Sequence, residues 1–143
     1  MTTYRDESDL ERLAKVVDEL DESDRAIRLL QSHMVDFFEN NPMPMHQINR
    51  QGQIVRANKA ELAFLGYERQ EYVGHYPAEF YPDRKLLANI MDKVANDIII
   101  WQQPVEILHK EGHTVTGTLT SSNSENGLTR CITIPTDPPE PKK

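Results

Sequence analysis

Apolar residues repeat every three or four positions in the first third of the chain and every two positions in the last third. A period near 3.6 lines one face of a helix and a period of 2 lines one face of a strand, so the chain calls for a long helix followed later by antiparallel strands. That change of period excludes both an all-helical and an all-β architecture.

The helical part opens at "SDLE", where Ser8 and Glu11 have the spacing of a capping box. Leu10, Leu13, Val17, Leu20, Ile27 and Met34 follow at alternating intervals of three and four, with Asp24 and Gln31 in the two remaining heptad positions. This is a coiled-coil seam with polar interruptions that set register at some loss of stability, and its six apolar residues are the candidate dimer interface. The competing reading is an amphipathic helix packed on its own domain. Beyond Met34 the apolar positions shift to Phe37 and Phe38, which are placed to tie the helix to the globular part of the chain.

"NNPMP" ends the helix, because Pro42 and Pro44 cannot continue it and Asn41 is pushed toward an extended conformation. A boundary near residue 41 is the consequence. "MHQINR" and "QIVRA" flank Gln51-Gly52 as a hairpin, in which Gly52 supplies the positive φ. Asn58, with Glu61 three residues later, suits a helix cap with a reciprocal acceptor, and Gly66 stands at the left-handed stop. "ERQEYV" is a short helical turn closed by Gly74. In "PDRKLLANIMDKVAND", Asp83 caps a helix whose stripe is Leu86, Leu87, Ile90, Met91, Val94 and Ile98. "VEILHK", "HTVTGTLTSS" and "LTRCITI" then read as three strands joined through Lys110-Glu111-Gly112 and Ser124-Glu125-Asn126-Gly127. Two strands, several short helices and three strands make a five-stranded antiparallel α+β sheet with helices on one face. The N-terminal helix is the available cover for the other face.

The formal charge of −7 is concentrated at one end: residues 1–41 hold 11 acidic and 5 basic side chains, which leaves −1 for residues 42–143. Neither part has a basic stripe to neutralise phosphates, so no nucleic-acid partner is expected, and an acidic helix is ill suited to an anionic membrane. Cys131 is the single cysteine. No intramolecular disulfide can form, no apolar run approaches a membrane span, and "MTTYRDESDLERLAKVV" lacks a leader's apolar core. A cytoplasmic protein is expected.

The order and punctuation of the second part resemble the PAS domain, a small sensory module of signalling proteins. The likeness runs from about Phe37 to Ile134. Gly52, Ile54, Asn58, Leu65-Gly66-Tyr67 and Val73-Gly74 fall on the pattern "G-x-I-x-x-x-N … L-G-Y … hydrophobic-G", Pro82-Asp83 resembles the entry to the family's long helix, and Lys110-Glu111-Gly112 its "K-D-G" turn. Two positions depart from the pattern. Asn49 replaces a usual aspartate. "CITIPTDPPEPKK" stands where the family often hands on to a C-terminal signalling helix, and prolines at 135, 138, 139 and 141 exclude a continuous helix there. Output is therefore expected through the N-terminal helix or a docked partner, and residues 136–143 read as a disordered Pro-rich tail after a PAS domain at 42–135.

The resemblance implies a pocket between the inner sheet face and the helices, with Phe64, Phe80, Met91, Val94, Trp101, Leu119 and Cys131 as candidates to line it. Each competes with plain core packing. Trp101 stands apart, because a buried indole N–H needs a partner. Flavin and haem are disfavoured. The family's flavin branch uses a reactive cysteine where "VGHYPAEFYPD" has none, and Cys131 lies in the final strand. Its haem branch uses a histidine on the long helix, which here holds none; His75 lies one short helix earlier. His109 and His113 flank a turn without an evident third ligand, so no metal site is expected. His33 lacks the acidic neighbour and second helix of a phosphoacceptor. No nucleophile elbow or phosphate loop appears, so no enzyme is expected. The sequence points to a non-enzymatic PAS signalling module of bacterial type that dimerises and contacts a signalling partner such as a kinase or regulator. The alternative is a sensor of an unidentified small ligand in the PAS cavity, regulating a two-component kinase or transcription pathway.

Overall fold

The structure is a computed structural model that describes residues 7–136. The expected tail at 136–143 lies, apart from Thr136, outside the described residues. The chain divides into two compact units between Phe37 and Phe38, within the last turn of the first helix.

The first unit is helical. Helix α1 spans Glu7–Glu39, 33 residues or about 50 Å. Ser8 is already helical, so it is not the cap that its spacing suggested. Leu10, Leu13, Val17, Leu20, Ile27 and Met34 are all exposed, at 49–71 % of their surface.

The second unit holds strands β1 (Met45–Ile48), β2 (Ile54–Ala57), β3 (Ile100–Leu108), β4 (Thr114–Asn123) and β5 (Thr129–Pro135). Helices α2 (Lys59–Leu65), α3 (Arg69–Tyr72) and α4 (Arg84–Ala95) lie between β2 and β3 in sequence. The strands form one sheet in the order β2-β1-β5-β4-β3, with every pair antiparallel. His46 and Ile48 on β1, Ile54 on β2, Val105 and Ile107 on β3, Leu119 on β4 and Cys131 on β5 are buried. The apolar members of that set share a core with Leu65, Tyr72, Leu87 and Ile90 from the helices. Two-residue alternation on the strands and 3.6-residue spacing on α4 thus meet in a single interior.

Three details depart from the sequence reading. Strand β3 starts before Pro104; a proline fits there because β3 is an edge strand and need not donate on its free side. Its register shifts between Ile100 and Gln103, and Gln102 takes a positive φ of 49°. Such a bulge reverses which side chains face inward. Ile100 is buried and its neighbour Trp101 points outward, 72 % exposed. Finally, α4 ends at Ala95, so Ile98 belongs to no helical stripe and is exposed.

Candidate functional site

Asn58 organises the root of the PAS-like unit. Its side chain is wholly buried and caps α2 by accepting the Glu61 N–H at 2.9 Å, as the spacing predicts. The same oxygen accepts the Met45 N–H at 3.0 Å. Its amide nitrogen donates to the carbonyls of Phe38 at 2.9 Å and Met43 at 2.8 Å. One side chain therefore fixes the start of α2 to the segment that leaves α1. Around it, the Arg56 guanidinium lies 4.3 Å from the ring centre of Phe38, and Arg69 reaches both the Glu39 carboxylate and the Ala57 carbonyl at 2.5 Å. Lys59 donates to Asn40 at 3.0 Å.

Glu61 does not complete a capping box. Its carboxylate instead meets His46 Nδ1 on β1 at 2.5 Å, with both side chains buried. His46 also stands opposite Cys131 in the β1–β5 register. Burial by itself would lower the imidazole's pKa, but the neighbouring Cys131 and Glu61, by charge and by hydrogen bonding, outweigh it and hold the group well above its ordinary value. His46 therefore carries its proton against the Glu61 carboxylate inside the core. The edge of its ring meets Tyr72, which packs with Tyr67 and Phe80. Sequence reasoning missed this pair. Its one local signal is that His46 and Ile48 share a strand face, which places a histidine inward wherever the isoleucine is inward.

The pocket candidates separate into three groups. Met91, Val94, Leu119 and Cys131 line a central cavity together with His46 and Ser121. Phe80 is buried in the aromatic cluster and Phe64 is partly buried against the core, but neither lines the cavity. Trp101 lies outside the interior altogether. The cavity measures about 20 Å³, room for a single water molecule. Outside it, an open groove of about 470 Å³ runs between the β1–β2 turn, the end of α4 and the β4–β5 turn, with Arg50, Asp97 and Glu125 among its walls. Met91 and Val94 belong to both spaces and so form the partition between them.

The remaining histidines differ from one another. His75 pairs with Glu79 at 2.9 Å on the surface. His109 and His113 stack across the β3–β4 turn, and one donor atom from each of His109, Glu111 and His113 lies within 4.8 Å of the other two. Among the described residues no helix is long and apolar enough to cross a membrane.

Residues 38–136 match the PAS fold family, and the chain belongs to it. Solved structures repeat the architecture. A domain of a sensory box sensor histidine kinase/response regulator from Geobacter sulfurreducens is 14% identical, with 76% of this chain and 96% of that one covered at a TM-score of 0.68. The PAS domain of an HTR-like protein from Haloarcula marismortui is 19% identical, covering 80% and 98% at a TM-score of 0.69. The LOV protein of Rhodobacter sphaeroides is 12% identical, covering 70% and 63% at a TM-score of 0.63. Identities this low establish a common fold. No curated protein sequence matches the chain.

Proposed function

We propose that the chain is a non-catalytic signalling module of the cytoplasm that pairs with a second copy through α1 and passes a change in that pairing to or from its PAS domain. The observation that carries this reading is the apolar seam of α1, with Leu10, Leu13, Val17, Leu20, Ile27 and Met34 all exposed. A helix that displays such a seam is stabilised by covering it with another helix. The clamp at Asn58 supports a mechanical link, because it joins the exit of α1 to the cap of α2 without an intervening loop. The kinase named with the Geobacter domain supports a kinase or regulator as the downstream partner.

Light scattering tests the pairing. Removing residues 1–36 should leave a folded, mainly monomeric domain, and Val17→Glu with Leu20→Glu should give the same result in the full chain. A tight dimer in either variant refutes the seam as the principal interface.

The groove favours a second reading, a sensor of a small molecule. Its volume is in the range of ligand sites, and Met91, an adaptable side chain, separates it from the cavity. Displacing Met91 would join the two spaces. A ligand would then switch the module only if it bound two arrangements of α1 with different affinity. A native mass spectrum of freshly purified protein separates the readings: a co-purifying molecule supports the sensor, and an apo dimer supports the module.

A further inference from the structure

The β3–β4 turn reads "HKEGH" from His109 to His113. Gly112 closes it at φ 100°, and the His109 N–H donates to the His113 carbonyl at 2.8 Å. Closure sets the two imidazoles face to face, with ring centres 4.4 Å apart and planes 18° from parallel. Glu111 lies at the tip between them. One ligand atom from each of His109, Glu111 and His113 is within 4.8 Å of the other two.

We propose that this turn is a binding site for a divalent late transition-metal ion, with zinc as the probe. The donor set argues the class: imidazole suits zinc, copper and nickel, whereas magnesium and calcium favour sites built wholly from oxygen. Three protein ligands leave a fourth tetrahedral position for water, the form of an open site. Zinc bonds of about 2.1 Å put tetrahedral ligand atoms roughly 3.4 Å apart, so the donor atoms need to approach by at most a little over an ångström. The exposed side chains of Glu111 and His113 can supply that movement by rotation.

His109 is the fixed member. Its imidazole packs on Gly66, where a Cβ would fall 2.6 Å from Cε1. The turn is also held to the domain, with the Lys110 N–H on the Leu65 carbonyl at 2.9 Å, the Lys110 ammonium on Glu71 at 2.7 Å and the Tyr67 hydroxyl on the Leu108 carbonyl at 3.0 Å. Two exposed ligands thus close on one anchored ligand. Capture also has a local cost. His109 Nδ1 accepts the Glu111 N–H at 3.1 Å, and loading either ring nitrogen ends that bond, at Nδ1 by replacing it and at Nε2 by moving the ring proton to Nδ1. The metal would sit on the connection between the Gly66 helix stop and the outer edge of the sheet.

Calorimetric titration of the full chain with zinc near neutral pH, together with amide NMR, tests the site. One ion per chain is expected, and the Glu111 amide signal should shift on loading. His113→Ala and Glu111→Gln, both at exposed positions, should each weaken binding by at least about tenfold, since loss even of groups that only support a ligand costs that much. His75→Gln, which breaks the His75–Glu79 pair, should leave it unchanged. No zinc binding by the wild type, wild-type affinity in His113→Ala, or loss of binding in His75→Gln would each overturn the assignment.

Discussion

The Asn58 side-chain amide donates to the Phe38 carbonyl at 2.9 Å, which makes the cap of α2 and the exit of α1 parts of one hydrogen-bonded junction. Every polar atom of that side chain is used, by Met45 and Glu61 at the oxygen and by Phe38 and Met43 at the nitrogen. Asn58→Ala removes a cap and strands buried backbone groups, so a loss of about 3 kcal/mol is expected in urea denaturation. Asn58→Asp keeps the acceptor but turns a charged oxygen toward two carbonyls. It should recover no more than the capping share, and full stability in that variant would show that the bonds to Phe38 and Met43 do not anchor the junction.

The buried His46–Glu61 pair gives the fold a pH dependence of definite sign. The imidazole's pKa in the folded chain lies well above its ordinary value, so the folded state keeps a proton that the unfolded chain releases above about pH 6.5. The unfolded state then binds fewer protons than the folded one, and stability falls as pH rises. The contribution is complete below the unfolded pKa and is lost by the folded pKa, at about 1.4 kcal/mol for each pH unit between them. Tyr72 and Tyr81, whose pKa values burial raises, add a loss of the same sign only at and above the ordinary phenol range. Thermal midpoints of the wild type should therefore decline as pH rises above about 6.5, and those of a His46→Gln, Glu61→Gln double variant should stay level over the same range. A level wild-type profile would mean that His46 is not charged in the core.

The features legible in the sequence are those written locally. Gly66 at φ 82°, the Asn58 cap and the Asp83 cap each occupy the position that their own few residues prescribe. The unread features depend on contacts between distant segments. Glu61 lies three residues after a cap and looks like its reciprocal acceptor, yet an imidazole fifteen residues earlier takes the carboxylate once β1 lies against α2. The candidate pocket was partly legible for the same reason: Leu119 and Cys131 follow strand alternation, whereas the fate of Trp101 depends on a bulge that no propensity announces. Pro104 hid the first part of β3, because strand order and not composition decides whether a proline is tolerated there.

Gly66 carries two constraints that can be measured apart. Its left-handed conformation costs a residue with a Cβ roughly 1–2 kcal/mol. A Cβ there would also lie 2.6 Å from His109 Cε1. Gly66→Ala should thus destabilise by about 2 kcal/mol or more, and placing it in a His109→Ala background should restore the steric part alone. Strict additivity of the two substitutions would show that the imidazole does not pack on this glycine.

Trp101 supplies a direct test of the β3 bulge, because it is the only tryptophan in the sequence. Ile100 is 4% exposed and Trp101 is 72% exposed, so the indole faces solvent. In the domain lacking residues 1–36, its fluorescence should be quenched by iodide almost as strongly as that of free tryptophan. Trp101→Ala should change stability by no more than about 0.5 kcal/mol, the usual limit for an exposed site without special contacts. A buried tryptophan would give the opposite pair of results, weak quenching and a loss of about 3 kcal/mol or more. That outcome would require β3 to run through residues 100–103 without the register shift, with Trp101 in the interior in place of Ile100.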